Sequence, residues 1–279
     1  MSDLYAVIGN PVAHSLSPRI HGLFAAQCGA AMRYVALLAP LDGFAATVEG
    51  FVRNGGRGLN VTLPFKQQAF KLTTQATPRA RAAAAVNTLS FEGSTVLGDN
   101  TDGAGLVRDL RVNLQSGIAG RRVLLLGAGG AARGVIAPLC SEQPASLCIA
   151  NRSADKARQL AGEFSRPEMP IRGCGSAELA GERYDLLINA TSAGLSGAAL
   201  DLPPELFAPG CTAYDMVYGR PTAFLRQARA AGAALTADGL GMLVEQAAEA
   251  FLLWRGRRPE TAPVLSLLRA ELEQRGDGN

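Results

Sequence analysis

Several things are scarce in this chain of 279 residues, and each shortage excludes a class of protein. Its cysteines are Cys28, Cys140, Cys148, Cys174 and Cys211, an odd number with no CxxC pair. That argues against a disulfide framework and a cysteine zinc site, and it fits a reducing compartment, the cytoplasm. The histidines are His14 and His21 alone, too few for a histidine-rich metal centre, so no metal is expected. There is no apolar run of membrane-spanning length, so no contact with a membrane is expected. The opening MSDLYAVIGNP carries an acid at Asp3 and no basic stretch before an apolar run, which predicts no signal peptide. Neither sign of charge dominates: 27 basic against 24 acidic residues leave a net charge of +3. That balance lacks the electrostatic footprint of a nucleic-acid binder. Lysine is the scarcest cation, with only Lys66, Lys71 and Lys156 among the 27 basic residues. In an arginine-using chain each lysine invites a chemical reason, because arginine does not give up its proton.

Hydrophobic residues make up 48% of the chain, too many for disorder. The length predicts one or two domains. Strands and helices alternate along it. LYAVIG at 4–9 reads as a strand, followed by a helix from Ser17 to a stop at Gly29. RYVALL at 33–38 is a second strand, and a helix with Phe44, Val48, Phe51 and Val52 on one face ends at Gly55-Gly56. LNVTL at 59–63 is a third strand, closed by Pro64. Helical stretches near 65–71 and 78–85 lead to strand character around a turn at Gly93. A helix over DGAGLVRDLRVNL connects to a second block with strands at 121–127, 146–152, 184–191 and 212–218 and helices between them. Apolar strands without alternation predict parallel sheet covered on both faces. The βαβ order predicts a doubly wound α/β domain. The last forty residues read as helices only and are expected to pack back on the first block. The expected division is 1–102, 103–238 and 239–279.

RRVLLLGAGGAARG sets Gly127, Gly129 and Gly130 at a strand end just before a helix. The first glycine permits the tight turn and the second lets backbone amides approach a pyrophosphate. Ala132 stands where a small residue allows helix and strand to pack closely. The new helix aims its N-terminal amides at the phosphates. A bare glycine pattern is also what an ordinary tight turn shows, but here the strand before and the helix after fit a dinucleotide site. An NAD-binding unit carries an acid at the end of its second strand. This strand ends in Asn151, Arg152 and Ser153, with Lys156 one turn on. An arginine there suits a 2′-phosphate, so NADP is expected over NAD. Cations do not favour a helix start, so this placement asks for an explanation that a solvated surface does not supply.

Three stretches of the first block are polar where packing does not require it: GNPVAHSLSP, NVTLPFK and AVNTL…GDNTDG. They put Ser15, Ser17, Asn60, Thr62, Lys66, Asn87 and Asp102 at strand ends and loops. Ligands of α/β sheets gather beyond the carboxyl ends of strands. Small hydroxyls and amides there suit a small polyhydroxylated acid. Taken singly, most of these residues are equally well explained as caps and turn formers.

Together these stretches, with GAGGAARG, NRS, NATSAG, YDMVY and DGLGML in the same order and spacing, resemble the shikimate dehydrogenase family over essentially the whole chain. The resemblance implies NADPH-linked, reversible reduction of 3-dehydroshikimate to shikimate, on the way to chorismate and the aromatic amino acids. It implies an N-terminal α/β substrate domain, a Rossmann-type NADP domain, and C-terminal helices on the first domain. It implies a monomer or homodimer whose partners are small molecules. It makes Lys66 and Asp102 the catalytic pair, which agrees with what the chemistry asks: a carbonyl oxygen must gain a proton, and lysine can give and retake one. Ser15 and Ser17 match the serines that bind the substrate carboxylate. Thr62, Asn87, Tyr218 and Gln246 match other substrate contacts. Gly127, Ala128, Gly129, Gly130, Ala131, Asn151, Arg152, Ser153 and Lys156 match the cofactor loop and phosphate clasp. Thr191, Met216 and Gly239 match residues near the ribose and nicotinamide. Many relatives carry an acid twelve positions after the lysine; here Pro78 stands there, and no role passes to it. The competing readings are a quinate/shikimate or amino-analogue dehydrogenase on the same scaffold, and a non-catalytic sensor of shikimate-like ligands. Retention of Lys66 and Asp102 speaks against the sensor.

Overall fold

The polar strand ends expected to hold ligands lie on two separate sheets. A computed structural model describes residues 2–191, 200 and 202–276. The chain divides into two compact units. The first comprises the chain up to Gly105 together with Val244–Leu268. The second comprises Leu106–Leu243 and the chain from Arg269 on.

In the first unit the strands are β1 (Asp3–Gly9), β2 (Met32–Leu38), β3 (Gly56–Val61), the two-residue β4 (Gln75–Ala76), β5 (Thr88–Glu92) and β6 (Thr95–Asp99). Their order is β2-β1-β3-β5-β6-β4. β1 pairs in parallel with β2 and β3, whereas β5 runs antiparallel to both β3 and β6. The helices are α1 (Ser17–Cys28), α2 (Phe44–Arg53), α3 (Lys66–Leu72) and α4 (Pro78–Ala83). Pro18 opens α1, and Gly29, left-handed at φ 62°, ends it. Phe44, Val48 and Phe51 of α2 recur at helical spacing and pack with Ala6, Ile8, Leu59, Val61 and Leu89 of the sheet. Burying each large side chain contributes roughly 1.5–3 kcal/mol. The C-terminal helix α9 (Leu240–Arg255) belongs to this unit from Val244 on. Its Trp254 packs against Tyr5 with ring centroids 4.7 Å apart and planes tilted by 34°, and the indole N–H donates to the Leu89 carbonyl at 3.0 Å. Gly58 on β3 permits this: a Cβ there would lie 2.5 Å from the indole nitrogen.

The second unit has strands β7 (Arg122–Leu126), β8 (Ser146–Asn151), β9 (Ile171–Gly175), β10 (Tyr184–Asn189), β11 (Phe207–Asp215) and β12 (Leu235–Asp238). Its helices include α6 (Gly130–Ser141), α7 (Ala154–Phe164) and α8 (Ala223–Ala230). All five strand pairings are parallel, in the order β12-β11-β10-β7-β8-β9. Counted from the first strand of the unit, this is the 3-2-1-4-5-6 order of a Rossmann sheet. Two-residue periodicity divides its side chains between two cores. Val123, Leu125, Ile149, Leu186 and Ile188 face one, and Leu124, Leu126, Cys148, Ala150 and Leu187 the other.

Several elements differ from the sequence expectation. β9 and β12 form the two edges of the sheet and are not among the strands expected from the sequence. The expected strand at 212–218 starts at Phe207 and stops at Asp215, which leaves Met216 and Tyr218 in the following loop. The expected helix from Asp102 is α5 (Asp102–Arg108) and then a π-helical turn, Asp109–Asn113. There the buried Asp109 carboxylate accepts from the Tyr214 hydroxyl at 2.7 Å and from Asn113 Nδ2 at 2.9 Å. α10 (Ala262–Gly276) closes the chain. Among the described residues no helix is long and apolar enough to cross a membrane.

Candidate active site

Lys66 opens α3, where the helix dipole does not favour a cation. Its ammonium is held by a carboxylate: Nζ donates to Asp102 Oδ2 at 2.5 Å. The lysine side chain is 20% exposed and the aspartate 9%, so the pair is largely enclosed, the aspartate more than the lysine. Asp102 opens α5, a placement the dipole favours. Its second oxygen, Oδ1, accepts from Asn87 Nδ2 at 2.8 Å. The Asn87 amide has one possible orientation. Its oxygen accepts from the Thr101 N–H at 2.8 Å and from the Thr88 hydroxyl at 3.0 Å, which turns the NH2 toward Asp102. The same NH2 lies 3.3 Å from Gln246 Oε1, so Gln246 of α9 joins the group.

The segment before Asp102 is anchored residue by residue. Asn100 Oδ1 accepts from the Asp102 N–H at 3.2 Å. Asp99 receives a two-point clamp from Arg79, at 2.7 and 2.5 Å, and the Thr77 hydroxyl at 2.6 Å. Burial works against the Asp99 charge, but Arg79, Thr77 and the Asn100 N–H together hold its carboxyl below the usual carboxylate range. On β1 and its loop, the Ser15 hydroxyl accepts from the Ser17 N–H at 3.2 Å. Thr62 hydrogen-bonds the Ile8 carbonyl through its own N–H at 2.9 Å, just before the cis Leu63–Pro64 bond. The first unit thus brings together Lys66, Asp102, Asn87 and Gln246 through direct hydrogen bonds. Ser15 and Thr62 occupy loops of the same sheet, and Ser17 opens α1. Tyr218 belongs to the second unit.

In that unit Gly127 follows β7 with φ 109°, a left-handed conformation that favours glycine. A Cβ there would meet the Ala190 backbone at 3.2 Å. A Cβ on Gly129 or Gly130 would meet nothing within 4 Å, so open space lies before the α6 amides. The first turn of α6 carries no acid. Asn151 ends β8, with Arg152 and Ser153 leading into α7 and Lys156 in its first turn. Among the described residues Arg152 and Lys156 have no ion-pair partner, whereas Arg158, two residues beyond Lys156, is paired with Glu178 at 2.8 Å. Open amides at a helix start beside unpaired cations fit a phosphorylated dinucleotide. Gly127, Ala128, Gly129, Gly130 and Ala131 would hold its pyrophosphate. Thr191 donates through N–H and hydroxyl to Asn189 Oδ1 at 3.0 and 2.7 Å. Of NATSAG, Ser192, Ala193 and Gly194 lie outside the described residues.

Sequence reasoning missed Asp215. This fully buried carboxylate accepts from Asn189 Nδ2 at 3.1 Å, the Thr222 hydroxyl at 2.6 Å and the Val217 N–H at 3.0 Å. It thereby ties the loop carrying Thr191 to the loop carrying Met216 and Tyr218. An acid within an apolar strand, YDMV, was the available signal. Among the described residues no group of His, Cys, Asp and Glu is placed to hold a metal.

A Rossmann sheet prepared for a phosphorylated dinucleotide, joined in one chain to an α/β unit with a lysine–carboxylate pair, defines a two-domain nicotinamide-dependent dehydrogenase. Three family models match: the shikimate dehydrogenase substrate binding domain over residues 7–89, shikimate / quinate 5-dehydrogenase over 110–196, and the shikimate 5′-dehydrogenase C-terminal domain over 239–269. The shikimate dehydrogenase (NADP(+)) of Dechloromonas aromatica (strain RCB) is 62% identical over 273 residues, 98% of this chain and 99% of that protein. That of Nitrosospira multiformis is 58% identical over 273 residues, again 98% and 99%. Among solved structures, an Ael1 enzyme from Pseudomonas putida superposes with a TM-score of 0.90 at 46% identity, covering 96% of this chain and 98% of that one. Shikimate 5-dehydrogenase from Thermus thermophilus, in complex with NADP(H) and shikimate, gives 0.85 at 36% identity, covering 96% and 99%. The chain belongs to the shikimate dehydrogenase family.

Proposed function

We infer that the protein catalyses the reversible NADPH-linked reduction of 3-dehydroshikimate to shikimate, in the shikimate pathway of aromatic amino-acid biosynthesis. The observation that carries this reading is the 2.5 Å contact between Lys66 Nζ and Asp102 Oδ2, with Asn87 on the other carboxylate oxygen. Bound NADPH supplies a hydride to the carbonyl carbon. Lys66 gives the carbonyl oxygen its proton and takes it back in the reverse direction. Asp102 holds the ammonium in place. Ser15 and Ser17 take the substrate carboxylate, and Thr62, Asn87, Gln246 and Tyr218 contact its hydroxyls. The first unit is then the substrate-binding one. In the second, Asn151, Arg152, Ser153 and Lys156 clasp the 2′-phosphate, and Thr191, Met216 and Gly239 lie toward the ribose and nicotinamide. The free thiols of all five cysteines suit a cytoplasmic enzyme.

The test is an assay at the nicotinamide absorbance band, with shikimate or quinate each paired with NADP+ or NAD+. Shikimate with NADP+ is expected to run fastest. Binding of shikimate without turnover would leave a sensor. Equal turnover of quinate would make the protein a broader quinate/shikimate enzyme.

A further inference from the structure

Four side chains with no role in the reading above connect its two ends through the interior of the first unit. His21 and Thr88 are fully buried, Asn60 is nearly so, and Tyr34 is half-buried. Asn60 Oδ1 accepts from the Tyr34 hydroxyl at 2.7 Å and from His21 Nε2 at 3.1 Å. Asn60 Nδ2 donates to Thr88 Oγ1 at 3.1 Å and lies 3.4 Å from the Asn87 carbonyl. A backbone carbonyl only accepts, so the amide cannot be turned round. Thr88 passes its own hydrogen to Asn87 Oδ1 at 3.0 Å. At the other end the Ser17 side chain is near enough to the Tyr34 phenol to act on its acidity, against the effect of burial.

The histidine fixes this polarity. Its ring stacks on Tyr34 with centroids 4.3 Å apart and planes 8° apart, and has Phe24, Phe251 and Trp254 around it. Burial pulls its pKa down to about 3, so the ring is neutral. Nδ1 is buried without a partner. The proton therefore sits on Nε2, since an unpaired buried N–H on Nδ1 would cost more than an unpaired lone pair.

We propose that His21, Tyr34, Asn60 and Thr88 are positioning residues for this reaction, a hydrogen-bonded chain that holds Ser17 and the Asn87–Asp102–Lys66 group in one register. The proposal rests on the shikimate reading for its kinetic consequences. Each link has its own consequence. Cutting the Thr88 link leaves the Asn87 oxygen held from the Thr101 side alone and loosens the amide against Asp102, which affects the chemical step. Cutting the Tyr34 link loosens Ser17, which affects substrate binding.

The test compares Thr88→Val, Thr88→Ser and Tyr34→Phe with the native enzyme, using shikimate and NADP+. Thr88→Val is expected to lower kcat by about tenfold, the scale of one lost buried hydrogen bond, and to raise KM by a smaller factor because Asn87 also contacts the substrate. Thr88→Ser keeps the hydroxyl and is expected to return kcat to within about twofold of native. Tyr34→Phe is expected to raise KM for shikimate at least about fivefold with kcat held within about twofold. Equal kcat in Thr88→Val and Thr88→Ser, or a fall in Tm with neither constant moved, would overturn the proposal.

A second readout needs no turnover, so it separates this inference from the assignment of substrate. With three lysines in the chain, lysine labelled with 13C at Cε gives few signals, and Lys66→Arg identifies the one from Lys66. Thr88→Val should move that signal and leave the Lys71 signal in place, and Thr88→Ser should leave both. An unmoved Lys66 signal in Thr88→Val refutes the chain even if shikimate proves not to be the substrate.

Discussion

At the scale of single residues, scarcity was the useful signal. One of three lysines in an arginine-using chain, Lys66 stands at a helix start and so points to chemistry, and its carboxylate partner lies 36 positions away. Lys66→Ala should lower kcat by about 10²–10⁴-fold, the usual worth of general acid–base catalysis, and should change KM far less. Lys66→Arg keeps the charge but offers no readily lost proton, so it should not restore the rate. A near-native rate in the arginine variant would leave Lys66 as an electrostatic anchor only. The basic strand end makes a separate claim. Arg152→Ala should raise KM for NADP+ roughly ten- to hundredfold, from about 1.5–3 kcal/mol for one charge-assisted contact, and should change KM for NAD+ little. Parallel increases for both cofactors would remove the 2′-phosphate from its list of contacts. What stayed illegible at this scale was the support behind the site. Asp215, Thr88 and His21 carry no spacing rule, because their partners are set by the register of neighbouring strands and by helices packed across them.

At the scale of elements, periodicity found the strands that are apolar runs and missed the two edge strands of the second sheet. β7 and β10 are apolar runs and were legible. β12 is half-buried along its length and gives no such run. β9 reads IRGCG, a glycine-rich stretch with a charge, because α7 presses on it: a Cβ on Gly173 would lie 2.4 Å from the Ala157 carbonyl oxygen. The glycine that looks like a loop is thus what lets helix and strand meet. The same reasoning gives a prediction where β12 ends. A Cβ on Gly239 would lie 2.2 Å from the Met216 carbonyl oxygen and 2.6 Å from its carbon, both backbone atoms. Gly239→Ala should therefore push apart the end of β12 and the loop after β11, at a cost of about 1–3 kcal/mol. Calorimetry should show a lower Tm, and KM for NADP+ should rise more than KM for shikimate. An unchanged Tm would mean that the two backbones are not packed as closely as described.

For the whole molecule, the βα alternation carried the parallel second sheet; of the strand-free tail expected on the first block, α9 is grouped with the first unit from Val244 on, whereas α10 from Arg269 on is grouped with the second. The antiparallel β5 in the first sheet was not legible, since direction depends on connections that short apolar runs do not encode. The two units also differ in how acid acts on them. His21, in the first, has its pKa pulled from 6.5 to about 3 by burial, with only partial compensation from the Asn60 hydrogen bond. Between those values the unfolded chain binds a proton that the folded one refuses. Stability is therefore full above the unfolded pKa and falls as pH drops, by about 1.4 kcal/mol per pH unit. The carboxylates act later. In the second unit the Arg122 clamp holds Asp185 at about 2, so its contribution is present above the ordinary aspartate range and is lost only as pH falls toward that value. Trp254 is the chain's single tryptophan, and its ring lies 5.3 Å from His21, so its fluorescence reports the first unit. Urea unfolding followed by that fluorescence should show the slope of about 1.4 kcal/mol per unit between roughly pH 6 and pH 4. His21→Gln keeps a donor for Asn60 and removes the titrating ring, so it should flatten the slope over that range. The same slope in both proteins would place the acid sensitivity elsewhere and would mean that His21 does not stay neutral in the folded chain.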